Sequence, residues 1–406
     1  SNVKFPLITI AAMQYHSRAY PALITNNEVV KCKVYGKDDD GEMHKRADRI
    51  SRHMTYQVME EDEGWEENQD KTLLVQAIAG TAIKKSYFDP VKGHNVSELV
   101  LPNDFIVNYY TKSIAESPRV SHRILLSHND LHERQVRGLF LKLDDQPPPS
   151  TPAQSMLTNA KEDAQGVRMP TGDPDTPYEF FETHFWHDFD EDGYKEPYIA
   201  YIRRDTGKIY RIVARYFSSS IQRDDKGNVL SIQPETYFIK FPFIPSPDGG
   251  FYDLGFGSLL GPLNQSIDTL LNQLIDTGTM ANTAGGFLSR GIKLRGGQTT
   301  FAPLEWKHVD TTGDDLKKGI FPLPVREPSQ VLFTLLSLLI NYGERIGFAV
   351  DILTGQNPGQ NTPAETSRTM AEQGLKIFNG IFKRTYRSLR DEFRKLYRLN
   401  QLYLDD

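Results

Sequence analysis

Apolar residues recur at three and four positions through the C-terminal end of the chain, at Ile377, Phe378, Ile381, Phe382, Leu389, Phe393 and Leu396. This period predicts one helix from about Ala364 to Tyr403, with a stripe that buries against something for roughly ten turns. Thr362-Pro363-Ala364-Glu365 reads as its start, with Thr362 as N-cap, Pro363 at the first helical position and Glu365 reaching back to the cap amide. Between the apolar positions stand Lys376, Lys383, Arg384, Arg387, Arg390, Arg394, Lys395 and Arg398, opposed only by Asp391 and Glu392. The other face is therefore strongly basic, either as a solvated surface or as a contact for a partner.

Upstream, an uncharged stretch of turn formers, Thr354-Gly355-Gln356-Asn357-Pro358-Gly359-Gln360-Asn361, separates this helix from another at about 328–350, with Val331, Leu335, Leu338 and Ile346 apolar. A further helix, about 258–283, carries a stripe of Leu260, Leu263, Ile267, Leu270, Leu271 and Leu274. Its other faces hold Asn264, Gln265, Asp268, Asn272, Gln273 and Asp276. A compact block rich in Gly, Pro and β-formers lies between the two, over 287–326. Helix, block and return helix predict a hairpin of helices with a tip, packed either against copies of itself or inside a monomer.

The N-terminal half alternates less regularly. Residues 11–20 could be helical, and helices are expected over 42–61 and 65–85, the second with Leu73, Leu74, Ile78, Thr81 and Ile83 on one side. Short strands at 87–91 and 98–101 flank the turn Lys92-Gly93-His94-Asn95, with Pro90 placing the first at a sheet edge. Ser127 caps a helix expected to reach Leu141. Residues 144–177, with Pro147-Pro148-Pro149, read as a mobile insertion. Strands at 178–186, 198–203, 209–216, 229–232 and 236–241, with turns at Asp205-Thr206-Gly207-Lys208 and Asp225-Lys226-Gly227-Asn228, predict an antiparallel meander. The fold class is α+β.

At 406 residues, two or more structural units are expected. Hydrophobic residues at 38% and charged ones at 25% describe a folded globular chain. The net charge of -6 excludes a protein that coats nucleic acid through overall basicity, so any DNA contact must be local. Cys32 is the sole cysteine, which excludes intrachain disulfides and Cys-based zinc sites and suits a reducing compartment. The longest apolar run, 331–340, is far short of a membrane span, and no secretory signal is visible. Ser1-Asn2 reads as a remnant of tag removal, so the natural N-terminus is expected to differ.

The sharpest local chemistry is Asp188-Phe189-Asp190-Glu191-Asp192-Gly193-Tyr194-Lys195-Glu196, with acids at positions one, three and five and Gly at six, as in a calcium loop. Position twelve is Ile199 and no helices flank the loop, so an EF-hand proper is excluded. Asp188, Asp190 and Asp192 with the Tyr194 carbonyl and Glu196 form a candidate site for calcium or magnesium, the alternative being a plain acidic turn. With His184 nearby, the cluster also supports a second function, a cation-dependent hydrolase, although His184 itself reads first as a packed strand residue. His128 and His132 read as surface residues. No phosphate-binding Gly-x-x-x-x-Gly-Lys-Ser/Thr loop and no Gly-x-Ser-x-Gly elbow occur, so the chain cannot itself hydrolyse ATP by the P-loop route and any ATP-driven motor must be another protein. The first expectation, for the resemblance given next, is a chain that is not an enzyme and requires no cofactor.

The order of elements, together with the stretches 65–90, 186–198, 251–276 and 354–398, resembles the portal proteins of tailed bacteriophages, the head-to-tail connectors of the short-tailed podovirus type. The resemblance covers most of the chain and rests on element order rather than one short signature. It implies a ring homo-oligomer, usually of twelve subunits, at one capsid vertex of the virion, through which double-stranded DNA is packaged and later ejected without sequence specificity. It implies an α/β wing over 1–255, stem helices at 256–284 and 328–351, a small clip at 287–326, a tunnel loop at 352–363, and a spine helix with a shortened crown at 364–406. The implied partners are the large terminase subunit, which is the ATPase, the major capsid and scaffolding proteins, and the head-completion or adaptor proteins, with assembly in the host bacterial cytoplasm and no membrane. Gly355, Gln356, Asn357, Pro358, Gly359, Gln360 and Asn361 would project into the channel. A DNA conduit must hold phosphates weakly, since each neutralising Lys or Arg adds affinity and acts as a brake, and this loop carries no charge.

Overall fold

The computed structural model describes residues 1–24, 28–143, 147–149, 156–167, 175–225, 229–282, 286–288, 320–322, 329–347 and 364–404. The chain is mixed α+β and divides into two compact units, Ala12–Ser258 with Gly359–Asp406, and Ser1–Ala11 with Leu259–Pro358.

In the first unit, α1 (Leu7–Leu23) enters at Ala12, and α2 (Glu42–Tyr56) continues through a π-helical turn, Gln57–Glu61. α3 (Trp65–Ala79) is shorter than its sequence implies. Gly80 stops it at φ 85°, with its N–H donated to the Gln76 carbonyl. A Cβ there would overlap the Asp253 carbonyl and lie 2.5 Å from the Gly255 nitrogen, so only glycine fits. Thr81 and Ile83, expected on the helix, therefore belong to strand β1 (Thr81–Asp89).

β1 pairs with β2 (His94–Val100) in a hairpin closed at Asp89 and His94, so that hairpin is present with longer strands than the sequence indicates. Pro90 falls in the turn and does not confine β1 to an edge. β1 is the central strand of the sheet β10-β1-β2, in which β10 spans Phe238–Pro242, and Thr81 to Ser86 are all buried.

The second sheet is antiparallel in the order β3-β4-β5-β6-β7, from β3 (Phe105–Val107), β4 (Arg119–Leu126), β5 (Tyr178–His187), β6 (Glu196–Arg203) and β7 (Ile209–Ala214). The expected meander holds only through β7. β8 (Ile221–Arg223) and β9 (Val229–Ile232) form a separate ribbon, and β10 (Phe238–Pro242) crosses to β1. Pro234 offers no amide to a ladder, and the buried Phe238 and Phe241 rings hold β10 to the other sheet. Ile83 and Val100 of the first sheet pack with Phe105, Val120 and Phe238 in one core.

α4 (His128–Val136) has the expected capping box between Ser127 and Asp130, but ends before Leu141 because Gly138 turns at φ 72°. Part of 144–177 lies outside the described residues. Within that stretch, which reads from sequence as a mobile insertion, α5 (Met156–Gln165) is a ten-residue helix, and the Pro147 and Pro148 carbonyls accept from the buried Arg203 guanidinium at 2.7 and 3.1 Å.

In the second unit, α6 (Phe256–Asn282), which joins it at Leu259, and α7 (Gln330–Ile346) are the two expected helices. β11 (Gly286–Leu288) and β12 (Ile320–Pro322) pair antiparallel between them, and the rest of the 287–326 block lies outside the described residues. α7 meets α6 through glycines: a Cβ on Gly343 would come within 2.6 Å of Leu7 and 3.3 Å of Leu263, and one on Gly347 within 3.1 Å of Ala11 and 3.6 Å of Leu260. The polar face of α6 is partly taken by the chain itself. The Ser1 ammonium pairs with Asp276 at 2.6 Å, the Val3 N–H donates to Asn272 at 2.8 Å, and the Phe5 N–H donates to Asp268 at 2.7 Å. These three side chains, spaced one turn apart, hold the N-terminus rather than standing free for another copy.

Candidate functional site

The long C-terminal helix, α8 (Ala364–Tyr403), has the expected bounds. Its capping residues and the uncharged stretch Gly355, Gln356, Asn357, Pro358, Gly359, Gln360 and Asn361 lie outside the described residues.

Its buried stripe is more polar than its period suggests. Thr385, Ser388, Glu392, Lys395 and Asn400 are buried beside Ile381, Leu389, Leu396 and Leu399. Each of the five polar side chains is engaged. Glu392 Oε1 accepts from Lys84 Nζ at 2.7 Å, Trp65 Nε1 at 2.8 Å and Ser97 Oγ at 2.6 Å. Lys395 donates to Glu235 at 2.7 Å, Ser388 to the Lys240 carbonyl at 2.7 Å, and Thr385 and Asn400 bond Gln76 and Gln57. These bonds fix the rotation of α8 against β1 and β10, because sliding by one residue would leave a buried charge without its partner.

Lys84 and Lys85 are adjacent on β1 and point to opposite faces of the sheet, as period two requires. Lys84 meets Glu392 on the helical side, and Lys85 meets Glu182 of β5 at 2.6 Å on the other. Burial pushes the Lys84 ammonium down, and the Glu392 carboxylate opposes that shift. Burial pushes Glu182 up, but the Lys85 ammonium and the His184 hydrogen bond outweigh it and hold this carboxyl well below the usual range. Burial lowers His184, and it lowers neighbouring His122 to about 4. These charges were missed from sequence. The available signal was Lys84-Lys85 inside a buried apolar strand, which demands two buried acids on opposite sides.

The cations expected to form a basic face divide into two sets. Lys383, Arg387, Arg390 and Arg394 are exposed. Arg384 is half-buried and donates to the Phe243 carbonyl at 2.8 Å, so it serves packing. Lys395 is buried, and Arg398 pairs with Glu235.

In the acidic loop, Asp188, Asp190 and Asp192 bring carboxylate oxygens within 4.8 Å of one another. Asp188 Oδ2 accepts the Gly193 N–H at 3.0 Å and Asp192 Oδ1 accepts the Tyr194 N–H at 2.7 Å, while Glu191 takes φ 58° and Gly193 φ 93°. Asp188 Oδ1 is out of solvent contact and without a hydrogen-bond partner. Three hard oxygens so close suit a hard cation in chemistry and spacing. Glu196 is not among them: it is buried at the start of β6, opposite His187 in register, and accepts from the Tyr198 hydroxyl. The Tyr194 hydroxyl accepts the Ile232 N–H at 3.1 Å. His184 is not part of the cluster either. It lies buried in β5, donating to Glu182 at 2.9 Å and packed on Tyr237 and Phe238. His128 and His132 are on the surface.

Among the described residues of the second unit, an apolar stripe is left exposed. Val331, Leu335, Leu338, Tyr342 and Ile346 are all exposed, Val331 at 72%. Spaced four, three, four and four residues apart, they form one straight stripe. It lies away from the Gly343 and Gly347 face that meets α6, and Thr334, Ser337 and Asn341 occupy the remaining side. No family model matches the chain, and no curated protein matches it.

Proposed function

We propose that this chain is a portal-type subunit of a tailed bacteriophage, a non-enzymatic protein that assembles into a ring at a capsid vertex and passes double-stranded DNA. The observation that carries this reading is the outward stripe of α7. A soluble chain rarely leaves five aligned apolar side chains in water unless another surface covers them. In this reading α6 and α7 are the stem, the segment joined by β11 and β12 is the clip, and neighbouring subunits cover the stripe around a closed rotational symmetry. The uncharged residues 355–361 then form the tunnel loop, and α8 the spine behind it. The terminase ATPase, capsid, scaffolding and head-completion proteins are the partners of such a ring in the virion and during assembly. The acidic loop is an accessory calcium or magnesium site on the wing.

Native mass spectrometry tests this. The expected result is a closed oligomer at a high multiple of 46.2 kDa, near twelve, with rotational symmetry in particle images. Leu335→Glu with Leu338→Glu should return the monomer. A wild-type chain that stays monomeric at high concentration, with unchanged behaviour in the double variant, would overturn the proposal.

A further inference from the structure

Where the buried stripe of α8 meets its exposed side, the helix forms the wall of a groove within the larger unit. Tyr386, Leu389, Phe393 and Tyr397 follow one another at three and four residues, with Met54 of α2 and Val30 also lining a cleft of about 750 Å³. Met54 and Tyr397 are shared with a second depression of about 280 Å³, which extends the path to Leu404. At 1.5 Å per residue, the wall from Tyr386 to Leu404 is about 27 Å long, or about five turns of a helix laid along it.

The cleft lining is charged with one dominant sign. Lys31, Lys33, Arg390 and Arg394 line it, and Arg49 lines its extension, whereas Glu28 is the one acid among the described residues of the lining. Glu28 pairs with Lys31 at 3.1 Å, and Asp391 reaches Arg390 at 3.2 Å and Arg394 at 3.9 Å. Such exposed pairs are weak and readily exchanged for others. The adjoining depression, across Lys31 and Cys32, is mixed, with Asp48 and Glu60 beside Arg52. Positive charge is thus concentrated where the floor is apolar.

That combination selects the occupant. A phosphate backbone uses cations but gains nothing from a floor of Met54, Leu389 and Phe393. A helix with aliphatic or aromatic residues on one face and Asp or Glu on its flanks uses both. We infer that this groove docks an acidic amphipathic helix supplied by a partner protein. Its apolar side chains enter between α2 and α8, and its carboxylates meet Lys33, Arg390 and Arg394. The inference does not depend on the ring, because the groove belongs wholly to one unit of one chain.

The test uses a displayed library of random helical peptides selected against the full chain, with a labelled DNA duplex run in parallel. Selected peptides should pair acidic residues with apolar ones at three- and four-residue spacing. They should also shield Cys32, the exposed thiol in the cleft, from alkylation. Arg390→Glu with Arg394→Glu should weaken them about tenfold or more. Both side chains are largely exposed, at 56% and 71%, so the fold should survive, and a thermal melt checks this. Lys383→Glu with Arg387→Glu, on α8 but outside the groove, should leave affinity unchanged. The inference fails if selected peptides are not acidic, if the Arg390/Arg394 variant binds them normally, or if Cys32 stays equally reactive. It also fails if that variant loses duplex DNA binding or self-association while no peptide binds.

Discussion

The two units treat charge and apolar surface in opposite ways. The larger one buries Lys84, Lys85, Glu182, Glu392 and Lys395 and matches each with a partner inside the same chain. The smaller one leaves the stripe of α7 in water, although Gly343 and Gly347 show that the same helix packs closely where it has a neighbour. A buried charge is tolerated because its counterpart sits at hydrogen-bond distance, whereas an exposed apolar stripe is completed only by a surface from outside. The buried charges of the larger unit are thus closed off from within, whereas no described residue covers the stripe of α7.

The sharpest way to break this comparison is to remove one buried partner. Glu392→Ala leaves Lys84 fully buried without its counter-charge, and should lower unfolding free energy by about 3–5 kcal/mol in denaturant titrations. Lys84→Met with Glu392→Leu should recover part of that loss, because an apolar pair needs no desolvation, while the buried Trp65 Nε1–H and Ser97 hydroxyl lose their acceptor. Recovery would show that the pair sets register more than stability. Gly80→Ala comes next, at about 2–4 kcal/mol, since it combines a left-handed backbone with overlap onto the segment from Asp253 to Gly255.

Acid should act on the larger unit before it reaches ordinary carboxylate pKa values. His122 is held neutral, its pKa lowered from 6.5 to about 4 by burial. As pH falls through 6.5, the unfolded chain takes up protons that the folded chain refuses, so stability drops, by up to about 3 kcal/mol near pH 4 for this group. His184 shifts in the same direction. Glu182 adds to the loss only below 4.5, where the unfolded carboxyl is protonated first. Burial raises Asp62 and Glu98, so these two gain stability as pH falls and blunt the slope. Melting temperatures across pH 7 to 5 should fall for the wild type and fall less for His122→Gln. The smallest effect on stability is expected from Leu335→Glu with Leu338→Glu, which should leave the melt of the isolated chain within about 0.5 kcal/mol while changing its assembly.

Much of the fold was legible in the sequence. The bounds of α8, the capping box at Ser127, the hairpin between β1 and β2 and the helices on either side of the tip block follow from local periodicity and capping chemistry. The failures have a common cause. Gly80 reads as an ordinary helix residue until Asp253, far away in sequence, comes against it. The strand from Phe238 looks like the next strand of a meander until β1 claims it. Asp268, Asn272 and Asp276 look free for another copy, yet the first residues of the chain bind them. In the acidic loop the three aspartates converge as their spacing implies, but Glu196 and His184 do not join them, because strand alternation buries both in β-structure.

The sequence by itself determined the bounds of α8 and the capped start of α4, because these depend on neighbours within one or two turns. It also set the absence of charge over 355–361 and the alignment of apolar residues on α7. Only the tertiary structure decided which charges of α8 are spent inside and which remain at the surface. It put Glu392 under Lys84, Lys395 against Glu235, and Arg390 and Arg394 beside an apolar groove. A helix period reports which residues share a face, but the energy of a buried charge depends on what stands opposite, and that residue comes from another part of the chain.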